Sequence, residues 1–189
     1  QKLGIPVTIT TAPAHLYVKF RGDNGHWYGV ETTSGGGWVS DDWQQRQLPR
    51  LTATAITNGI YLQPLTSKET AVVIADSLLE HYADQQSIEA NRARVRLALL
   101  LIDHYPKHVV AMVHAYMGMR EMRQKLFVER YRRPEDIPHD LWPQFEKIET
   151  ESMYWGHKAK ALGYVASTPE MDAAYRKRIR RAIADNQNR

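Results

Sequence analysis

The 189-residue chain contains no cysteine. That excludes disulfides and thiolate metal sites, and it excludes a thiol nucleophile within these residues. It leaves the compartment open. Long hydrophobic runs are also missing. The longest, Leu97 to Ile102, is far short of the roughly 20 apolar residues needed to cross a bilayer, and it reads as core. The start lacks an initiator Met and the basic-then-apolar order of a signal peptide. Gln1-Lys2-Leu3-Gly4 reads instead as a helix end with glycine at C′. The sequence therefore predicts that residue 1 is a cut or processed end. The net charge of +4 is modest for this length. One domain or two small ones fit, with enough apolar content for a core.

The informative stretch that is present is Ala14-His15-Leu16-Tyr17-Val18-Lys19-Phe20, followed by Trp27-Tyr28-Gly29-Val30-Glu31-Thr32-Thr33. Leu16, Val18 and Phe20 alternate along one strand, and Tyr28 and Val30 along the next. The turn-rich Arg21-Gly22-Asp23-Asn24-Gly25 lies between them. A hairpin must put its apolar residues on one side, because a one-residue slip would turn one set outward. The expected register pairs Phe20 with His26, Val18 with Tyr28 and Leu16 with Val30. It sets His15 across from Glu31 on the opposite face. Cross-strand Cβ atoms lie about 4.5–5.5 Å apart, so an imidazole–carboxylate hydrogen bond is within reach. The carboxylate would fix the ring tautomer and stabilise the imidazolium, and the other ring nitrogen would act as general base. These are two members of a nucleophile–base–orienter triad. A His and a Glu facing each other on a solvent-exposed sheet are also a common structural pair.

Residues Leu3-Gly4-Ile5-Pro6-Val7-Thr8-Ile9, the strand with His15, and Glu31-Thr32-Thr33-Ser34-Gly35-Gly36 together resemble the second half of a bacterial transglutaminase-like domain. Asn58-Gly59-Ile60-Tyr61-Leu62-Gln63-Pro64-Leu65-Thr66 is similar to that family's link to a helical tail. The resemblance covers about residues 3–66. It implies a papain-like core in which His15 is the catalytic histidine and Glu31 the acidic residue. The acid is Glu rather than the commoner Asp. The cysteine-bearing helix, which should end near Gln1-Lys2-Leu3-Gly4, is not in this sequence. The family's thiolate would be activated at a helix N-terminus and by His15.

The expected fold class is α+β. Residues 1–65 form antiparallel strands of a partial transglutaminase-like core, with Trp38 to Leu62 as a long, loop-rich connection. Residues 66–189 form an α-helical bundle or tetratricopeptide-like helical hairpins. Thr66-Ser67-Lys68-Glu69 reads as a capping box. It opens a helix through Tyr82 with Val72, Val73, Leu78 and Leu79 on a broad apolar face. Further helices are expected from Ile88 to Tyr105, stopping before Pro106, from Lys107 to Tyr131, and from Asp140 to Gly163. Arg132 to Pro138 reads as a linker between the last two of these. Thr168-Pro169-Glu170 starts a final helix, with an N-cap, a Pro at N1 and an acid in the first turn.

Other motifs carry less. His104, His108 and His114 are near in sequence, but Pro106 interrupts the first pair and no carboxylate completes a metal set, so they read as surface or cap histidines. Asp23, Asp41 and Asp42 lack the alternating oxygen spacing of a calcium loop. No metal or cofactor is expected. Arg176-Lys177-Arg178-Ile179-Arg180-Arg181 is a basic run, read as a solvated tail. It lacks the aromatic stacking or reader fold of a nucleic-acid site, so no specific nucleic-acid binding is expected. An anionic membrane surface or an acidic partner protein would suit that run.

Two classes of function follow. One is a cysteine-dependent acyl transferase or hydrolase acting on amide bonds of a protein or peptide. Its Cys would lie on an N-terminal part of the same protein, so this chain alone would be inactive. His15 would shuttle the proton and Glu31 orient it, with Tyr17, Trp27 and Trp38 as cleft walls. The other is a non-catalytic scaffold with a degenerate core and a partner-binding helical tail. Either would be a soluble bacterial protein of the cytoplasm or periplasm.

Overall fold

The computed structural model describes residues 4–32, 37–47, 50–174, 176–177 and 180. The fold is α+β: a four-stranded antiparallel sheet and a set of helices. Contacts divide the chain into two compact units. The sheet unit is Gln1–Ser67 with Gly163–Arg189, and the helical unit is Lys68–Leu162.

In the sheet unit, β-branched residues dominate β1 (Val7–Ala12), which pairs with β2 (His15–Arg21). Pro13 and Ala14 close this hairpin, and Ala14 takes a positive φ of 58° directly before His15. Strands β3 (Trp27–Glu31) and β4 (Gly37–Val39) complete the sheet in sequence order. The β2–β3 register is Phe20 with Tyr28 and Val18 with Val30, two residues away from the expected one. Glu31 is therefore placed diagonally to His15 rather than across from it. The turn explains the shift. Gly22 N–H donates to the His26 carbonyl, Gly25 N–H to the Gly22 carbonyl, and Gly25 supplies a φ of 79°.

A two-residue shift leaves every side chain on its expected face, but the faces are used in the opposite sense. Thr10, Ala12, Tyr17, Lys19 and Val39 are the buried side of the sheet. Leu16 is 48% exposed and Trp38 74%, with Val7 and Tyr28 also exposed. The apolar side, not the side with His15, is the more open one. Burial of the polar side is possible because Tyr17 and Lys19 are partnered, although the buried Thr10 Oγ1 has no hydrogen-bond partner among the described residues.

The expected connection from Trp38 to Leu62 contains two short helices besides β4. These are α1 (Asp41–Gln47), where Ser40 Oγ accepts from Trp43 N–H, and α2 (Ala53–Thr57), where Thr52 Oγ1 accepts from Ala55 N–H. Residues 60–65 then run along the outer edge of β1. Leu62 N–H donates to the Thr11 carbonyl and Leu65 N–H to the Ile9 carbonyl, which covers an otherwise open strand edge. Gly163 returns to this unit, with its carbonyl on Thr52 Oγ1. It is held at a φ of 101° so close to Ala55 that no side chain fits. A helical stretch begins at Pro169, capped by Thr168 Oγ1 accepting from Met171 N–H. Arg176, Lys177 and Arg180 are exposed. Gln1 to Leu3, Thr33 to Gly36, and Arg178, Ile179 and Arg181 lie outside the described residues.

In the helical unit, the helix expected through Tyr82 is broken into α3 (Ser67–Ile74) and α4 (Asp76–Asp84). Ser77 Oγ donates to the Ile74 carbonyl at the break, a bond that competes with the helical ladder. Helix α5 (Ile88–His104) is capped by Ser87, whose Oγ accepts from Ala90 N–H, and it stops two residues before Pro106. Helix α6 (Val109–Arg123) passes into a π turn, Gln124–Val128, instead of running regularly to Tyr131. The π turn accompanies burial of Phe127 edge-on against Phe145 of α7 (Trp142–Ala161). A 3₁₀ turn, Pro134–Asp136, interrupts the expected linker. Helix α5 packs on α6, α6 on α7, and α4 on α5. Gly118 permits the α5–α6 approach, because a Cβ there would lie 2.9 Å from Val95.

Candidate functional site

The β1–β2 turn delivers His15 as the first residue of β2, and Glu31 is the last of β3. The diagonal separation is one that long side chains span. His15 Nε2 lies 2.5 Å from Glu31 Oε2. An ionised carboxylate can only accept, so Nε2 carries a proton, and in the neutral ring Nδ1 then holds the lone pair. Nδ1 has no hydrogen-bond partner among the described residues. The side chains of His15 and Glu31 are 19% and 20% exposed. The pair is thus screened from bulk water without being sealed from it.

Beneath the pair is a buried polar layer that the sequence did not suggest. The Tyr17 ring stacks near the His15 ring, with centroids 6.0 Å apart. Its hydroxyl donates to Asp41 Oδ1 at 3.1 Å. Burial, together with Asp41, pushes the Tyr17 hydroxyl well above its ordinary value, so it stays protonated as the donor. The Lys19 side chain, 3% exposed, donates to Asp41 Oδ2 at 2.8 Å and to the Leu62 carbonyl at 2.5 Å. An ammonium so buried needs both partners. Leu62 presents its carbonyl from a positive φ of 63°. That strained conformation is held at both ends, by the N–H bond to Thr11 and by Lys19. Gly29 makes room for the layer. A Cβ there would sit 2.5 Å from the Val39 carbonyl oxygen and 3.0 Å from the Tyr17 ring.

The other sequence-derived candidates fall elsewhere. Trp38 is on the opposite face of the sheet, packed edge-on against Phe20 and Tyr28 at 5.2 and 6.2 Å. It cannot wall a cleft over His15. Trp27 opens β3, at the other end of that strand from Glu31, and pairs with Arg21. Tyr17 is beside His15 but buried, so it supports the ring rather than lining open space. Asp41 and Lys19 were missed. Ser40 before Asp41-Asp42 is a helix-cap signal, whereas the Asp41 contact with Lys19 spans 22 residues and no local pattern reports it.

Of the three histidines read as surface or cap residues, His108 stands at the N-cap position of α6 but is buried, and His114 is buried within α6. His108 Nε2 pairs with Asp76 at 2.7 Å, and its ring stacks on Tyr105 at 5.3 Å. His114 accepts from Arg94 Nε at 2.9 Å and faces Glu80 at 3.2 Å. His104 is exposed. These partners lie 20 to 34 residues away in sequence, beyond any helical spacing. Among the described residues no group of three or more His, Asp or Glu side chains is arranged to hold a metal ion, and no helix is long and apolar enough to cross a membrane. No family model, curated protein or solved structure matches the chain.

Proposed function

We propose that the sheet unit is the histidine-and-acid part of a transglutaminase-like cysteine acyltransferase or hydrolase that acts on amide bonds of a protein or peptide. The observation that carries this reading is the His15 Nε2–Glu31 contact of 2.5 Å with Nδ1 left unengaged among the described residues. In this reading Nδ1 takes the proton of a thiol supplied by a segment outside this sequence. The thiolate attacks a carboxamide or peptide carbonyl, and the imidazolium returns the proton to the leaving amine. Glu31 keeps Nε2 protonated and stabilises the imidazolium. The resulting thioester is resolved by an amine in transfer or by water in hydrolysis.

The test is amine incorporation into, or ammonia release from, a glutamine-bearing peptide by the protein isolated from its host. His15→Ala is expected to reduce turnover by about a hundredfold or more while the circular dichroism melt is kept. Turnover within tenfold of wild type, or a native protein without cysteine, would discard the assignment. In that event the second reading, a non-catalytic scaffold, remains, and the exposed apolar face around Phe20, Tyr28 and Trp38 favours the sheet, rather than the helical tail expected from the sequence, as the surface that receives a partner.

A further inference from the structure

Several buried polar groups of the helical unit meet across α4, α5 and α6. Arg94 of α5 donates from Nε to His114 Nδ1 at 2.9 Å and from Nη1 to Glu121 at 3.2 Å. His114 of α6 meets Glu80 of α4 at 3.2 Å through Nε2. Asp76, one turn before Glu80, pairs with His108 just before α6. A guanidinium has donors only, so its contact fixes the lone pair on His114 Nδ1 and the proton on Nε2. The ring must be neutral for both contacts to exist. A second proton would have to go on Nδ1, where an N–H would face the Arg94 N–H, cation against cation. From this we infer that the Arg94–His114–Glu80 contact is an acid-sensitive latch, which holds α4 and α5 on α6 at neutral pH and is released when His114 becomes imidazolium.

The competing effect is attraction between a charged His114 and the carboxylates. Glu80 is 68% exposed, so solvent weakens its pull. The Arg94 side chain is 4% exposed and that of His114 7%, so the interaction lost on protonation is the less screened one. Burial first and Arg94 second hold His114 below its ordinary value, against Glu80 and Asp76. Of the other charges on elements packed against α6, Glu149 of α7 pairs with Arg123, and Lys125 of the π turn donates to the Gln86 carbonyl. The sign follows. The unfolded chain takes a proton on this histidine near pH 6.5, and the folded chain only at lower pH. Unfolding or opening therefore takes up a proton between those values, and stability falls as pH falls through that window.

The experiment is amide hydrogen exchange on the full chain at pH 7.5 and 5.5, corrected for intrinsic exchange, beside the variant His114→Gln. Glutamine accepts from Arg94 and donates to Glu80 but does not titrate. Wild type is expected to open about tenfold faster over α4, α5 and the first half of α6 at pH 5.5, and His114→Gln to show less than a twofold change. Equal acceleration in both proteins, or none in wild type, would overturn the latch. Should the variant not fold, nitrogen-15 NMR of the wild-type histidines decides. An unprotonated His114 Nδ1 at pH 7.5 that gains its proton as α6 opens supports the latch, and any other order rejects it.

Discussion

His15, in the sheet unit, points its Nε2 proton at Glu31 and leaves Nδ1 unengaged among the described residues. His114, in the helical unit, also lies against a glutamate, but Arg94 occupies its other nitrogen. The acid partner is common to both, so it is the second nitrogen that separates them. A ring with one open nitrogen can take a proton from a neighbour without losing any contact. A ring with both nitrogens engaged must break one to do so. The first suits proton transfer and the second suits holding helices together. The same contrast holds for the buried cations. Lys19 is a point charge that needs one carboxylate and one carbonyl, whereas the Arg94 fork serves an imidazole and a carboxylate at once.

The comparison would break most visibly at Asp41. Removing it leaves a buried ammonium with a single carbonyl partner. Because the Asp41 side chain is itself about half-exposed, Asp41→Ala should cost about 2–3 kcal/mol, less than a fully buried broken pair. Lys19→Met removes the charge instead and leaves Asp41 to Tyr17 and solvent, and should cost only about 1 kcal/mol. Urea unfolding of both variants checks the order. If Lys19→Met were the more damaging, the hydrogen bonds themselves, and not the desolvated charge, would govern this layer.

Gly29 sharpens the same point by sterics. A methyl group there would meet a backbone oxygen of β4 and the Tyr17 ring, neither of which can yield without moving the sheet. Gly29→Ala should cost about 2 kcal/mol and shift Tyr17, and with it the ring above. The measurement is a urea melt together with the His15 Nε2–H resonance, which should broaden or move. An unchanged resonance would mean that Tyr17 does not support His15.

Much of this was readable before any coordinates. The alternation around Leu16, Val18 and Val30 puts His15 and Glu31 on one face, and the helix expected from Ile88 to before Pro106 is α5. What stayed hidden has physical causes. A side-chain period of two cannot distinguish registers two residues apart, so only the Gly22–His26 turn decides that Glu31 sits diagonally to His15. Polar or apolar character does not say which face turns inward when Tyr17 and Lys19 find partners 22 to 43 residues on. Helices α1 and α2 are too short to show a helical period, although Ser40 and Thr52 announce their caps. The break at Ala75 and the burial of His108 and His114 depend on tertiary partners, and helical patterning carries no trace of those.

The smallest effect concerns the turn that delivers His15. Ala14 holds a φ of 58°, a region that costs an L-residue roughly 1–2 kcal/mol. Glycine would relieve that strain but would lose more chain entropy on folding, worth about 0.5–1 kcal/mol. The difference predicts that Ala14→Gly stabilises the sheet unit by about 0.5 kcal/mol, seen as a higher urea midpoint with unchanged slope. The value of the variant lies in what accompanies the gain. If the turn stores strain only because Pro13 and the Ala12–His15 pairing demand it, the His15–Glu31 contact should be unaffected, and His15 should give the same ring resonances. If those resonances broaden as stability rises, the methyl group at Ala14 helps to fix the ring. The precision of the open-nitrogen site, unlike that of the closed one in the helical unit, would then depend on backbone strain as well as on its acid.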